Sequence, residues 1–170
     1  MIEDVYIQKM IDKLSKYELT PLERVILAND ATVQSLLSVI FRIPVQVEVI
    51  AQTELNRNIY RWVRLVADYG EAGKITACLA MSIIPTGLND FQFVEGVRDK
   101  QRGIGQLLAE LDFKIKREIL GFYADETVFS RTYRITGNRI TEYNREEKCD
   151  ILITEVFPRS VFKKVEERRV

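Results

Sequence analysis

The sequence predicts an α+β fold, in which helices flank a single antiparallel β-sheet of about six strands. Apolar residues in the first third of the chain recur at helical spacing, whereas from Val45 onward they alternate with polar residues as they do in β-strands. No internal repeat, low-complexity segment or linker interrupts the 170 residues. A chain of this length can bury about 70% of the surface that its unfolded form exposes. We therefore expect one domain over residues 1–170.

Three helices are predicted at the start of the chain. Residues 3–16 carry apolar side chains at roughly helical spacing. The segment Thr20-Pro21-Leu22-Glu23 combines a capping box with proline at the first helical position, which is a specific signal for a helix start. Asp30 or Thr32 can cap the third helix, which covers about residues 33–40.

Strands dominate the remainder, and we expect them at 45–50, 59–69, 74–84, 113–123, 127–136 and 150–157. Gly70-Glu71-Ala72-Gly73 predicts a hairpin turn, and Gly137-Asn138 predicts another turn. Short helices are expected at 88–97 and 104–111. The charged tail at 159–170 alternates basic with acidic residues, which favours a solvated helix end over a binding site.

The overall charge disfavours several classes of partner. Lys plus Arg equals Asp plus Glu, 25 each, so the chain lacks the positive excess of a protein that binds nucleic acid through bulk charge. The longest apolar stretch is too short to span a bilayer, and no apolar signal region opens the chain. Cys78 and Cys149 form no C-x-x-C pair, so we expect each to be a small core residue in a reduced, cytoplasmic protein.

The absence of histidine restricts the possible chemistry. It removes the Ser-His and Cys-His triads and most zinc sites, which leaves carboxylates, Arg, Lys, Tyr, Cys and backbone groups. Asp30, Asp68 and Asp90 do not have the spacing of a metal-binding loop, so we assign no metal.

Glu155 is the strongest candidate site residue. On a strand it shares its face with Ile151, Ile153 and Phe157, and an ionised carboxylate in such surroundings needs a cation or several hydrogen-bond donors. Arg64 shares a strand face with Trp62 and Val66 in the same way. Two interpretations remain open: a structural ion pair between two strands, or a pocket in which Arg64 holds a carboxylate ligand while Glu155 orients or deprotonates a hydroxyl group of that ligand.

Two other segments carry weaker signals. Gly103-Ile104-Gly105, at a predicted helix start, could present backbone N–H groups to an anion. Ser130-Arg131-Thr132-Tyr133-Arg134 mixes basic and aromatic residues, but Arg131 and Arg134 fall on opposite faces of a strand. We therefore favour structural or rim positions for this segment over a nucleic-acid platform.

The order of several motifs resembles the chorismate pyruvate-lyase family, most closely its archaeal-type branch. The resemblance covers about residues 20–158, and its most specific part is the closing segment Leu152-Ile153-Thr154-Glu155-Val156-Phe157-Pro158. The other matching segments are Glu23-Arg24-Val25-Ile26-Leu27, Asp30-Ala31-Thr32, Trp62-Val63-Arg64, Ser82-Ile83-Ile84-Pro85, Ile104-Gly105-Gln106-Leu107-Leu108 and Ser130-Arg131-Thr132-Tyr133-Arg134.

The resemblance implies a chorismate lyase-like fold and an activity. It implies a six-stranded antiparallel sheet with an enclosed pocket, in which chorismate or a related cyclic hydroxy acid loses pyruvate to give 4-hydroxybenzoate without a cofactor. It places Arg64 at the carboxylate-binding position, Glu155 at the position of the essential acid, and Ile104 where a backbone N–H helps to hold the carboxylate. We thus expect a carbon–oxygen lyase. The alternative is a non-catalytic domain of the same fold that binds or senses an aromatic acid.

Overall fold

The computed structural model describes residues 2–167, with side chains described from residue 7 onward. This part of the chain confirms the predicted α+β class, because it contains six helices and one open sheet of six antiparallel strands. The helices are α1 (Ile2–Leu14), α2 (Pro21–Ala28), α3 (Val33–Phe41), α4 (Phe91–Arg98), α5 (Ile104–Glu110) and α6 (Arg159–Glu167).

The strands are β1 (Val45–Leu55), β2 (Asn58–Asp68), β3 (Lys74–Pro85), β4 (Lys114–Ala124), β5 (Val128–Ile140) and β6 (Glu146–Pro158). Their order across the sheet is β1-β2-β3-β6-β5-β4, so β6 lies in the middle, between β3 and β5. The chain crosses from β3 to the far edge through α4 and α5 and returns by two hairpins. Residues distant in sequence therefore meet on β2, β3, β5 and β6.

The predicted helix start at Thr20 is confirmed in atomic detail. The Thr20 hydroxyl accepts the Glu23 N–H at 3.3 Å, and the Glu23 carboxylate accepts the Thr20 N–H at 3.0 Å. Of the two candidate caps for α3, Thr32 occupies the N-cap position, although its side chain makes no capping hydrogen bond.

The turn predicted at Gly137-Asn138 is wrong, since both residues lie within β5. Gly137 is paired with Ile115 of β4 and with Cys149 of β6. A Cβ atom on Gly137 would lie only 2.6 Å from the carbonyl oxygen of Lys114. Here glycine permits a close approach of two strands rather than a change of chain direction.

The core lies on one face of the sheet, which we call the inner face. Two groups of buried side chains occupy it, one packed with α2, α3 and α6 and the other with α4 and α5. Cys78 and Cys149 are unpaired and buried, as predicted. The tail prediction needs correction up to residue 167, because Phe162 of α6 is buried among Phe41, Phe129 and Phe157. Residues 168–170 lie outside the described part.

Helix length and polarity bear on membrane insertion. Among residues 2–167, no helix has both the length and the apolar character required to cross a bilayer.

Candidate ligand-binding site

A cavity of about 80 Å³ lies between the inner face of the sheet and the N-terminal ends of α3 and α5. Its walls are largely apolar and come from β1, β2, β3, β5 and β6. The polar side chains that interrupt these walls include Arg61, Ser82, Arg117, Tyr133 and Glu155. An apolar cavity with a few convergent polar groups is the usual form of a small-molecule site.

Glu155 lies in the wall of this cavity, on the central strand β6. Its side chain is buried, and so are Ile151, Ile153 and Phe157 on the same face, as the sequence predicted. One carboxylate oxygen accepts the Nε–H of Arg131 at 2.7 Å, and the other accepts the hydroxyl of Tyr133 at 2.8 Å. Strand pairing causes this contact, because Arg131 of β5 lies directly opposite Glu155. The buried carboxylate thus has both a cation and a neutral donor.

Arg131 also joins the sheet to α2. Its Nη1 lies 3.2 Å and 3.3 Å from the carbonyl oxygens of Ile26 and Leu27, and it also donates to the carbonyl of Asn29. These groups mark the C-terminal end of α2, where unpaired carbonyls and the helix dipole favour a cation. The predicted structural position is thus confirmed for Arg131, and so is its place on the opposite face from the exposed Arg134, although the sequence did not identify Glu155 as its partner.

The surroundings of Glu155 and Arg131 raise the pKa values of the neighbouring Tyr133 phenol and Cys78 thiol. Burial raises the pKa of the Tyr133 phenol well above its usual range, and the negative charge of Glu155 raises it further. Burial likewise raises the pKa of the Cys78 thiol well above its usual range. Tyr133 therefore remains a hydrogen-bond donor to Glu155 at neutral pH, and Cys78 remains a thiol.

The structure does not bring Arg64 to Glu155, so the prediction that these two side chains share one pocket is wrong. Arg64 is about half exposed and binds Glu48 on the neighbouring strand β1, with 2.6 Å between Nε and Oε2. It does not belong to the cavity lining. Arg64 lies on the outer face of the sheet, whereas Glu155 lies on the inner face.

Arg61 is the arginine of β2 that does line the cavity. It is only 1% exposed, although its single hydrogen bond runs from Nη2 to the carbonyl oxygen of Arg102, at 2.6 Å. Among the described residues, its Nε and Nη1 have no hydrogen-bond partner although both are buried, and no carboxylate forms an ion pair with it. Burial lowers the pKa of Arg61, because the cation has lost its water. An anionic ligand would supply the missing acceptors.

A β-bulge explains why sequence reasoning selected the wrong face. The pairing of β2 with β3 shifts between Leu65 and Val66, so both of these successive residues are buried. Val66 is buried, and simple alternation backwards from it assigns Arg64 and Trp62 to the inner face. Before the bulge, however, the residues on the inner face are Ile59, Arg61, Val63 and Leu65. The alternation from Ile59 to Leu65 was the available signal for Arg61.

Ile104, the third predicted site residue, is at the first position of α5 and lines the cavity together with Gly103 and Gly105. The structure thus brings Ile104 and Glu155 to the same cavity. The contact between the Ile104 N–H and a ligand carboxylate stays a prediction.

Among the described residues, no group of three or more Cys, Asp or Glu side chains is arranged to hold a metal ion. A comparison of the sequence with protein-family models finds no match, and no curated protein matches it significantly.

Proposed function

We propose that this chain binds a small cyclic carboxylic acid in the cavity beside Glu155, and that it acts as a chorismate pyruvate-lyase-like enzyme. The observation that carries the proposed binding of a carboxylate is Arg61, a buried guanidinium whose Nε and Nη1 have no acceptor among the described residues. Guanidinium groups bind carboxylates through paired hydrogen bonds, and a low dielectric strengthens such bonds. Arg61 takes the clamping role that the resemblance assigned to Arg64.

The second step concerns the hydroxyl group of the ligand. Arg61 and Glu155 come from different strands of one cavity wall. On β3, which lies between these strands, Ser82 is paired with Arg61 and Ala80 is paired with Glu155. A ring that places its carboxylate on Arg61 can direct a hydroxyl toward Glu155, Tyr133 or Ser82. Elimination of pyruvate from chorismate to give 4-hydroxybenzoate then requires the protein mainly to position the substrate, because the reacting groups belong to one molecule.

A second candidate function is binding without turnover. Both oxygens of Glu155 already accept a hydrogen bond from a buried donor, so Glu155 is poorly placed to remove a proton from a substrate. This occupancy favours a domain that binds or senses an aromatic acid. The unpaired, buried cysteines Cys78 and Cys149 suit a reducing compartment, which supports a cytoplasmic location for either function.

One experiment separates the two functions. The purified protein is mixed with chorismate, and the release of pyruvate and 4-hydroxybenzoate is compared with a protein-free control. The enzyme proposal expects release above the control, lost in Arg61→Gln and retained in Arg64→Gln. Binding of 4-hydroxybenzoate without any release would support the second function, and the absence of both would refute the site.

The affinity of the product gives a quantitative check. Arg61→Gln removes two charge-assisted hydrogen bonds, each worth about 1.5–3 kcal/mol before water compensates. We expect a loss of about 3 kcal/mol in calorimetry, which is roughly a hundredfold increase in Kd for 4-hydroxybenzoate. Arg64→Gln is the matched control, because it removes the same charge from the same strand on the outer face. An equal loss of affinity in both variants would exclude Arg61 as the clamp.

A further inference from the structure

We propose that two copies of this chain associate through the outer faces of their sheets, which pack against each other as a twofold dimer. The outer face is the surface of the sheet opposite the cavity. The proposal therefore does not depend on the ligand or on the activity proposed above.

The central strands β3 and β6 carry apolar side chains on both of their faces. In the run Ile151-Leu152-Ile153 the first and third residues pack in the core, and Leu152 points outward. Leu79, Met81 and Ile83 are the outward residues of β3. An antiparallel sheet with one solvated face normally places polar residues outward, whereas strands that are covered on both faces are apolar at nearly every position. The sequence of β3 and β6 is thus typical of a sheet that is covered on both faces.

Strand pairing joins these outward side chains into one surface, which we call the outer patch. It consists of Trp62, Leu79, Met81, Ile83, Leu152 and Val156, which neighbour one another across β2, β3 and β6. Trp62 is 38% exposed and Leu79 is 45% exposed, and the other four side chains are half-buried. None of the six belongs to either core group, because each of the six described helices packs on the inner face. The outer patch is therefore uncovered in the single chain.

The outer patch has the composition of an interface core. It includes a tryptophan and a methionine, which are enriched in protein–protein interfaces, and it includes no charged residue. Charged side chains surround it instead: Arg64 binds Glu48 at 2.6 Å on β2 and β1, and Arg134 binds Asp150 on β5 and β6. An apolar centre with a charged rim is the usual anatomy of a protein–protein interface.

The charges of the rim favour a second copy of the chain as the partner. Lys74 binds Glu48 at 3.3 Å and Asp68 at 3.1 Å, so the group that contains Arg64 has two positive and two negative charges. A rim whose charges are paired does not select a strongly charged partner such as nucleic acid. The whole chain has 25 basic and 25 acidic residues, so two copies approach each other without net repulsion.

The outer face is large enough for a stable dimer. Six strands at a spacing of about 4.8 Å and about 11 residues at about 3.4 Å each give a face of about 29 Å by 37 Å, or about 1,000 Å². A stable interface buries about 800 Å² of each partner. Antiparallel sheets pack face to face with their strands about 30° apart. Because both copies use the same surface, the contact closes at two chains and leaves the inner faces uncovered.

Sedimentation velocity measures the mass of the protein, and its single tryptophan reports where the contact lies, because that residue is Trp62 in the outer patch. We expect the unaltered protein at about 50 µM to have twice the mass of one chain, since interfaces of this area have Kd values of about 1 µM or lower. Trp62 should be shielded from quenching by acrylamide, a neutral quencher whose access is not affected by charge.

Two variants place a charge in the outer patch. Met81→Glu introduces a carboxylate beside Trp62, and burial of two such unpaired charges in one interface is prohibitive. The mass should therefore fall to that of one chain, and acrylamide should quench Trp62 more strongly. Leu79→Lys should have the same effect with the opposite charge. Val39→Glu is the matched control, because Val39 is an apolar residue of α3 that is 75% exposed on the other side of the sheet, and it should preserve the dimer.

Circular dichroism verifies the folding of each variant, and Leu79→Lys decides the result if Met81→Glu does not fold, because its position is already half exposed in the single chain. A monomer with accessible Trp62 at the same concentration would overturn the proposal and would favour a different protein as the partner of the outer patch. A dimer that persists in both charged variants, that is lost equally in Val39→Glu, or that leaves Trp62 open to acrylamide would also overturn it, because the contact would then use another surface.

Discussion

Two buried arginines of this protein should respond in opposite directions to the same substitution. Arg61 and Arg131 are each 1% exposed, but Arg131 has a carboxylate partner and Arg61 does not. We expect Arg61→Met to stabilise the ligand-free protein and Arg131→Met to destabilise it. Methionine preserves much of the apolar stem in both positions, so the comparison isolates the guanidinium group.

The expected magnitudes follow from the hydrogen bonds of each side chain. Arg61→Met removes two buried nitrogen atoms without partners, Nε and Nη1, each of which costs about 1–3 kcal/mol. It also loses one charge-assisted bond to the carbonyl of Arg102, worth about 1.5–3 kcal/mol. The net gain is about 2 kcal/mol. Arg131→Met leaves Glu155 buried without its cation, which costs about 3–5 kcal/mol.

Thermal and urea unfolding of the ligand-free protein provide the assay. At this chain length one kcal/mol shifts Tm by about 2–4 °C, so Arg61→Met should raise Tm by about 4–8 °C. The buffer must contain no carboxylate or phosphate, because an anion bound to Arg61 would stabilise only the unaltered protein. Destabilisation of Arg61→Met by as much as Arg131→Met would refute the reasoning, since Arg61 would then have a stabilising partner in solution.

Two further predictions concern regions outside the cavity. Gly137→Ala should cost about 1–3 kcal/mol of unfolding free energy, because its Cβ would meet the carbonyl of Lys114 at 2.6 Å. Gly121→Ala is the control, since a Cβ there has no atom within 4 Å, and it should change the unfolding free energy by at most about 0.5 kcal/mol. Equal losses in the two variants would contradict the steric reason. The N–H groups of Val128 and Thr127 hold the pKa of Asp125 well below its ordinary 3.8. The ionised carboxylate therefore stabilises the folded protein fully above about pH 4, and this stabilisation is lost as the pH falls toward the pKa of the folded state. The Tm difference between Asp125→Ala and the unaltered protein should therefore shrink below pH 4, and a pH-independent difference would exclude this origin.

The parts of the fold that sequence could predict depend on short-range patterns. The capping box at Thr20 places a helix start by contacts within four residues, and the alternation in β6 places Glu155 on an apolar face. Gly137 shows the limit of such reasoning. Its local sequence suits a turn, but the actual requirement is a close approach to Lys114, 23 positions earlier, which only the pairing of β4 with β5 creates.

The candidate site shows the same limit more sharply. Alternation could identify Glu155 as a buried acid in need of a cation, yet it could not identify that cation as Arg131, because the pairing depends on the register of β5 against β6. The bulge between Leu65 and Val66 shifted the apparent inner face of β2 and led to Arg64. The Nε and Nη1 of Arg61 lack acceptors because no described residue places one beside them in the folded structure. No local sequence pattern encodes such a missing contact.

These pairings together determine the electrostatic character of the cavity. Among the described residues, Glu155 is the one carboxylate in the cavity lining, and without a competitor it would attract the guanidinium of Arg61. Arg131 prevents this, because it lies opposite Glu155 in the register and is fixed from the other side by the carbonyls at the end of α2. The ion pair within the wall thus neutralises Glu155, the one carboxylate of the described lining, and leaves Arg61 without an acidic partner. Under the proposed function Arg131 is a positioning residue: its bond to Glu155 keeps Arg61 without an acidic partner, and the cost of the unpaired Arg61 would be recovered on binding of an acid.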